Sequence, residues 1–418
     1  MTHTSLSSWL SYIESQHPSE IELGLERGSE VLRLLNLSRP NKKVITVAGT
    51  NGKGSTCAML TQYLCSFGHS VGTYTSPHFL HFNERVALNN VPCSDALLCQ
   101  AFEVIEQVRG ETPLTYFEFS TLAALWVFDQ SDLDYWVLEV GLGGRLDSVN
   151  MIDTDVAVMT SIALDHTDWL GDNLEVIAQE KAGIARKDKL LISGVVNPPA
   201  SIQTTAADIG ALLRQKGKDF NFTLTDQTWC WEAGDVRYEN LPMPGLPLQN
   251  AATVVAVLVY MGFEPDESAL RVLFNTAQLT GRFQKVQDSP DVYIDVAHNP
   301  EAAQELVQRI AQLPSAPIAV CGMLKDKDIN RVMSCLADQF SAWFCADLSG
   351  PRGAKAEALA IAIASQKEGD RSNIHTCHSV ADAFDKAIDQ AELEKRPVIV
   401  FGSFVTVSDY LALNQDKE

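Results

Sequence analysis

Short apolar runs alternate with longer stretches in which apolar positions recur every three or four residues. That alternation predicts strands separated by helices, the pattern of mostly parallel α/β sheets. In the first part of the chain, strands are expected at 44–48, 135–140 and 156–162 and helices at 55–67, 117–128, 175–184, 250–261 and 268–277. Residues 219–238 read as an antiparallel hairpin turning at Gly234-Asp235. Near residue 285 the alternation restarts, with strands at 292–296, 318–321, 342–346 and 398–401. Helices at 301–313, 329–337, 354–365 and 379–392 lie between them. This second block could fold by itself, so two domains are expected, 1–280 and 281–418, joined near Leu279-Thr-Gly-Arg-Phe283.

Composition narrows the function classes. The 418 residues include 32 basic and 53 acidic ones, leaving a formal charge of −21 that disfavours nucleic acid and anionic membrane as partners. Small anionic substrates remain compatible, provided cations gather locally. No apolar run reaches the ~20 residues of a membrane helix, and the start of the chain lacks the basic and apolar regions of a signal peptide. The nine cysteines contain no Cys-x-x-Cys pair, which suits buried free thiols in a reducing cytoplasm. With no heptads or apolar stripe, a monomer is the default expectation.

The most specific local chemistry is Val47-Ala-Gly-Thr-Asn-Gly-Lys-Gly-Ser-Thr56, which follows a strand and opens a helix. Backbone N–H groups and the positive helix end can hold a triphosphate there, with Lys53 reaching its outer oxygens. The strict phosphate-loop pattern would have Gly at 47 and a hydroxyl at 54; this chain has Val47 and Gly54, and its hydroxyl comes at Ser55.

Three polar residues follow strand-like runs: Ser76, Glu139 and His166. In a parallel sheet these strand ends meet the edge that carries the phosphate loop. Hydroxyl, carboxylate and imidazole could together bind a divalent ion that bridges phosphates, although Mg²⁺ rarely selects His. Spacing alone equally allows Glu139 as a turn cap and His166 as an ordinary loop histidine.

Taken in order, these segments resemble the folylpolyglutamate synthases of the Mur ligase superfamily. The resemblance is carried by Ile21-Glu-Leu-Gly24, Gly49-Thr-Asn-Gly-Lys-Gly-Ser55, Thr75-Ser-Pro-His78, Asn83-Glu-Arg-Val86 and Leu138-Glu-Val-Gly-Leu-Gly-Gly-Arg-Leu-Asp147. Leu164-Asp-His166, Gln179-Glu-Lys-Ala-Gly183, Gly281-Arg-Phe283, Asp295-Val-Ala-His-Asn-Pro300 and Phe401-Gly-Ser403 extend it along nearly the whole chain. The nearest likeness is the bifunctional bacterial branch that also makes dihydrofolate.

The resemblance implies a P-loop Mur-ligase-type ATPase domain followed by a smaller Rossmann-like glutamate-ligase domain. It also implies an ATP-dependent amide ligase. The γ-phosphate would activate a carboxylate as an acyl phosphate, and the amine of L-glutamate would then displace phosphate. The acceptors would be 7,8-dihydropteroate and the γ-carboxylate of reduced folates. On the same basis Thr50, Asn51, Gly52 and Lys53 match the ATP phosphate loop, and Asn250, Arg282, Asp295 and His298 match further ATP contacts. ATP would then be clamped by both domains. Ser76, Glu139 and His166 match the Mg²⁺ ligands, and Lys181 matches a lysine carried as a carbamate that reaches a second Mg²⁺; K⁺ is a further ion to test. Lys53, Lys181 and His166 are the expected catalytic residues. Glu22, Leu23, Gly24, Thr115, Tyr116, Phe117, Glu118, Leu146, Asp147 and Ser148 match segments that hold dihydropteroate.

From the residues alone, Lys181 reads as a solvated helix lysine, Phe117 as a core aromatic, and Asp295-Val-Ala-His298 as a strand-end turn with an Asx cap. Three rivals frame the reading: a monofunctional folylpolyglutamate synthase, a Mur-type cell-wall ligase, and a P-loop switch that turns over nucleotide without an amino acid. The cell-wall ligase is disfavoured because the chain is expected to open directly on the ATPase domain. Lys53, Arg85, Arg145 and Arg282 are the cations expected in the cleft of this acidic protein.

Overall fold

The computed structural model describes residues 4–17, 22–37, 42–367 and 371–415. Ile21, where the resemblance begins, lies outside the described residues. Contacts divide the chain into two units, Met1–Ala277 and Gln278–Glu418.

The first unit is built on an eight-stranded sheet. Its strands are β1 (Lys43–Ala48), β2 (Val71–Tyr74), β3 (Val86–Leu88), β4 (Val91–Pro92), β5 (Tyr135–Glu139), β6 (Val156–Met159), β7 (Leu190–Ser193) and β8 (Leu212–Gln215). Their order is β4-β3-β2-β5-β1-β6-β7-β8. All neighbours are parallel except β2–β3 and β3–β4. Val-Ile-Thr-Val-Ala in β1 is buried throughout, as a strand covered on both faces requires. It lies between β5 and β6, with Val47 opposite Glu139 and Ala48 opposite Met159. The strand ends on either side of β1 therefore flank the loop that follows it, where ligands bind in open α/β sheets.

Among the boundaries that differ from the pattern-based expectation, three have a clear local cause. The strand expected to reach 162 stops at Met159, because Ser161 and Ala163 turn away to hydrogen-bond Thr50 and Asn51. The helix expected from 55 begins at Lys53, since Gly52 at φ +83° already serves as its N-cap. The expected hairpin is three antiparallel strands, β9 (Asn221–Leu224), β10 (Thr228–Ala233) and β11 (Val236–Pro242). Gly234-Asp235 does turn β10 into β11. The earlier strand escaped the pattern because its turn is closed by Thr225, whose hydroxyl accepts the Thr228 N–H at 3.1 Å. Trp229 and Trp231 alternate inward from β10, and Trp231 Nε1 donates to Ala252 O at 3.0 Å, seating the meander on helix Leu248–Tyr260.

On one face of the sheet, helices Leu6–Glu14, Glu26–Leu34, Asp95–Arg109 and Tyr116–Asp129 pack around Trp9, Phe102, Phe119 and Trp126. The first three of these helices were not anticipated from the sequence pattern.

The second unit holds β12 (Gln284–Asp288), β13 (Asp291–Ile294), β14 (Ile318–Cys321), β15 (Ala342–Ala346), β16 (Ile374–Cys377) and β17 (Val398–Phe401). The order is β12-β13-β17-β14-β15-β16, parallel except for β12–β13. The buried strands β14, β15 and β17 coincide with their apolar runs. The edge strands β12 and β16 carry Lys, Gln, His and Thr, so their hydrophobic signal is weak. Phe340 stacks on Phe401 at 5.4 Å and packs edge-on to Trp343, filling one face of the sheet. All nine cysteines are unbridged. No described helix is long and apolar enough to cross a membrane.

Candidate active site

Beyond Ala48 the chain turns through residues 49–52 and enters helix Lys53–Ser66. The loop is fixed from the β6 side. Thr50 N donates to Ser161 O at 2.9 Å, Asn51 N to Ser161 Oγ at 3.1 Å, and Thr160 Oγ1 to Asn51 O at 2.6 Å. Lys53 folds back so that Nζ donates to Gly49 O at 3.1 Å and Thr50 O at 3.2 Å. No side chain caps this helix, so its first-turn N–H groups face the loop's hollow. Ser55 Oγ and Thr56 Oγ1, in the same turn, are buried without a partner. An uncapped helix start, a lysine and orphaned hydroxyls are what a triphosphate tail would use.

Residue 52 has to be glycine for two reasons. Its φ is +83°, and a Cβ there would come within 2.4 Å of the Asn250 side-chain amide. Asn250, buried at the start of helix Leu248–Tyr260, thus lies directly on the loop. On the expectation that this loop holds the ATP phosphates, Gly52→Ala should raise the KM for ATP and cut kcat/KM at least ~10-fold. Nucleotide titration of ADP release checks this.

Lys181 reaches the same place from helix Leu174–Ala182. It is not the solvated lysine that its position in the sequence suggests, being 5% exposed with Nζ donating to Gly49 O at 3.0 Å. The approach depends on Gly144, where a Cβ would stand 2.8 Å from Glu180 O and 3.0 Å from Lys181 Cα. Burial lowers the Lys181 amine to about 7, with the Lys53 charge pushing the same way and Asp165 and Asp147 opposing. Lys181, Lys53, Gly49, Thr50, residues 141–143, Asp165, His166 and Leu170 line one small, partly open cavity.

The expected metal ligands fall into two groups. His166, exposed and in the left-handed conformation at φ +52°, lines the cavity with Lys181. Ser76 and Glu139 sit together at the ends of β2 and β5, where Glu139 Oε2 accepts the Ser76 N–H at 3.1 Å. Glu139 is only 5% exposed and stands opposite Val47, two residues before Gly49. No cluster of three or more His, Cys, Asp or Glu among the described residues is arranged as a metal cage. A hydroxyl, a buried carboxylate and an imidazole beside a phosphate loop nevertheless fit a divalent ion that takes its remaining ligands from phosphate and water. Asp165 was not among the expected site residues, yet it lines the cavity. Its place just before His166, past a strand end, is the signal that could have found it.

The segments expected to hold a pterin also come together. Gly24 N donates to Leu146 O at 3.3 Å. The half-buried Phe117 ring occupies the space that a Cβ on residue 141 would fill, and it lies 6.1 Å from Tyr74. Asp147 is buried, which raises its carboxyl to about 6 against hydrogen bonds from the N–H groups of Leu142, Val149 and Gly141. Ser148 pairs with Thr121, hydroxyl to hydroxyl, at 3.0 Å. Leu23 and Tyr116 are half-buried beside these residues in sequence. Thr115 and Glu118 have a local duty that the sequence reading did not foresee. They form the capping box of helix Tyr116–Asp129, Thr115 N donating to Glu118 Oε2 at 2.8 Å. Arg27 bonds both Glu118 and Glu22, linking the two segments. Arg145, expected as a cleft cation, is half-exposed and pairs with Glu180 at 2.7 Å.

In the second unit, Asp295 accepts the N–H of Phe283 at 2.8 Å and of Ala297 at 2.7 Å. His298 Nδ1 lies 2.7 Å from Val296 O. The strand-end turn with an Asx cap is therefore present, and it holds the segment that carries Arg282. The Arg282 guanidinium sits 5.4 Å from the Phe404 ring centroid. Burial raises the Asp295 carboxyl, and Arg282 opposes that shift.

Known proteins resemble this chain in sequence and fold. Residues 47–208 match the Mur ligase middle domain, and residues 281–404 match the Mur ligase glutamate ligase domain. The dihydrofolate synthase/folylpolyglutamate synthase of Escherichia coli K12 is 47% identical over 405 residues, covering 96% of this chain and 94% of that one. The solved E. coli FolC in complex with DHPP and ADP superposes with a TM-score of 0.94 at 45% identity, covering 100% and 99% of the two chains. A bifunctional folylpolyglutamate synthase/dihydrofolate synthase with Mn, AMPPNP and L-glutamate bound gives 0.91 at 44% identity, covering 99% of each. The chain belongs to the dihydrofolate synthase/folylpolyglutamate synthase family of the Mur ligases.

Proposed function

We propose that this chain is an ATP-dependent ligase that joins L-glutamate to 7,8-dihydropteroate and to the γ-carboxylate of reduced folates. The observation that carries this reading is the convergence of Lys53, Lys181, Asp165 and His166 on one cavity at an uncapped helix start. A carboxylate is a poor electrophile, and phosphorylation gives it a leaving group. Such a transfer asks the protein mainly for position and charge. Thr50, Asn51, Gly52 and Lys53 hold the phosphates, Asn250 keeps the loop in place, and Arg282, Asp295 and His298 are further nucleotide contacts. Ser76, Glu139, His166 and a carbamylated Lys181 hold one or two Mg²⁺, which neutralise phosphate oxygens when bound. The near-neutral Lys181 amine supports the carbamate, since the uncharged form is the one that adds CO₂. Phe117 offers its face to the pterin, with residues 22–24, 115–118 and 146–148 around it.

In this reading residues 1–280 bind ATP and residues 281–418 form the glutamate-ligase domain. The protein acts as a cytoplasmic monomer on small molecules. The test mixes purified chain, ATP, Mg²⁺ and glutamate with dihydropteroate or with tetrahydrofolate, and follows ADP and glutamylated product. Glutamate-dependent ADP with both acceptors is the expected result. Release with neither refutes the ligase, and release with tetrahydrofolate alone makes it monofunctional. Repeating the assay with and without K⁺ shows whether that ion assists.

A further inference from the structure

Arg85 closes the short helical turn Phe82–Arg85 and is 9% exposed. Its Cζ lies 5.6 Å from the ring centroids of both Phe82 and Tyr116. Nε donates to His78 Nδ1 at 2.8 Å. Among the described residues no carboxylate pairs with this guanidinium, and neither terminal nitrogen has an acceptor. Its sequence neighbour Glu84 is committed elsewhere, accepting the N–H groups of Phe79 and Leu80 at 2.8 Å and of His81 at 2.6 Å. A guanidinium never loses its charge and carries five donors, of which one is used here. Aromatic faces offset part of the burial but satisfy no N–H. Buried charges are ordinarily paired, and this one is held ready for an anion.

The surroundings indicate which anion. Tyr74 lies within electrostatic reach of both Arg85 and Asp147, and its ring sits 6.1 Å from Phe117. Arg85 therefore borders the pterin side of the first unit. A planar fork with two unfilled edges matches a carboxylate. We propose that Arg85 is the carboxylate receptor of the acceptor subsite, its two terminal nitrogens gripping a carboxylate of the folate-type acceptor. His78 is the positioning residue. An arginine N–H can only donate, so the facing Nδ1 must accept, and this fixes the rotation of the guanidinium plane.

The inference rests on the ligase reading and adds a specificity determinant to it. Two sources share the chemistry: the carboxylate being activated, and the α-carboxylate of a glutamate already attached. Dihydropteroate has only the first, whereas a reduced folate has both. The test measures KM for each acceptor and for ATP, with thermal unfolding alongside, in wild type, Arg85→Lys, Arg85→Gln, His78→Leu and His78→Asn.

Arg85→Gln should raise an acceptor KM about 30-fold or more, with the ATP KM within about twofold. Arg85→Lys should recover only part, because it restores charge without the fork. Loss with both acceptors assigns the reacting carboxylate, and loss with tetrahydrofolate alone assigns the α-carboxylate. His78→Leu should follow Arg85→Lys, and His78→Asn, which keeps an acceptor near the Nδ1 position, should stay close to wild type. Unchanged acceptor KM values in an active Arg85→Gln enzyme overturn the receptor role. So does a parallel rise in every KM with a lowered Tm, which marks a purely structural cation. An unchanged acceptor KM in His78→Leu overturns the positioning role. A wild-type chain that makes no product overturns the ligase reading and this inference together.

Discussion

Lys53→Ala should lower kcat for glutamate-dependent ADP release by about 10³-fold while leaving Tm within a few degrees of wild type. Removing one preorganised donor from developing charge typically costs 10²–10³ in rate, and Lys53 supplies a full positive charge as well. The fold has little to lose. Among the described residues Nζ is bonded only to Gly49 O and Thr50 O, and Gly49 O keeps the Lys181 amine as a second donor at 3.0 Å. Steady-state assays at saturating ATP, glutamate and acceptor measure the effect. A kcat within tenfold of wild type would remove Lys53 from phosphoryl transfer. A second readout accompanies it: since the Lys53 charge helps to lower the Lys181 amine, that amine should titrate higher in the variant.

Lys181→Met should separate stability from activity. Turnover should disappear with the ammonium or carbamate. The folded state should gain on the order of a few kcal/mol near neutral pH, because a buried amine is replaced by an apolar chain of similar length. The pH dependence follows from linkage. The Lys181 amine stands at about 7 in the folded protein and near the ordinary lysine value when unfolded. Between those values the unfolded state binds the extra proton, so wild-type stability rises with pH across that window. Below about 7 both states are protonated and the burial penalty is present in full. Chemical denaturation in CO₂-free buffer should show the rise in wild type and its loss in Lys181→Met. Identical curves would mean that the lysine finds water or a partner in solution.

How much of this could be read before folding differs from residue to residue. The strand–turn–helix around Lys53 was legible because its signal lies in consecutive residues, so that strand, glycines, lysine and helix suffice. The central strands of both sheets were legible because both of their faces are apolar. Lys181 was not legible from its surroundings. Its burial depends on the missing Cβ of Gly144, 37 residues earlier in the chain, and only the resemblance to a family pointed to it. Thr115, Glu118 and Asp295 looked like ligand contacts, yet each also satisfies nearby backbone N–H groups. Arg145, expected as a cleft cation, pairs with Glu180, whose approach depends on how helix Leu174–Ala182 docks. Local motifs announce themselves in sequence; long-range partners that redirect or cancel a charge do not.

The strand order of the second unit also bears on how the protein is made. β17 lies between β13 and β14, although more than 70 residues separate it from either along the chain. A nascent chain halted before Val398 therefore exposes two facing strand edges, each with its row of unpaired N–H and C=O groups. Residues 398–401 must be made and freed before that gap can close, so the half-made sheet is exposed to pairing with another chain until synthesis is complete.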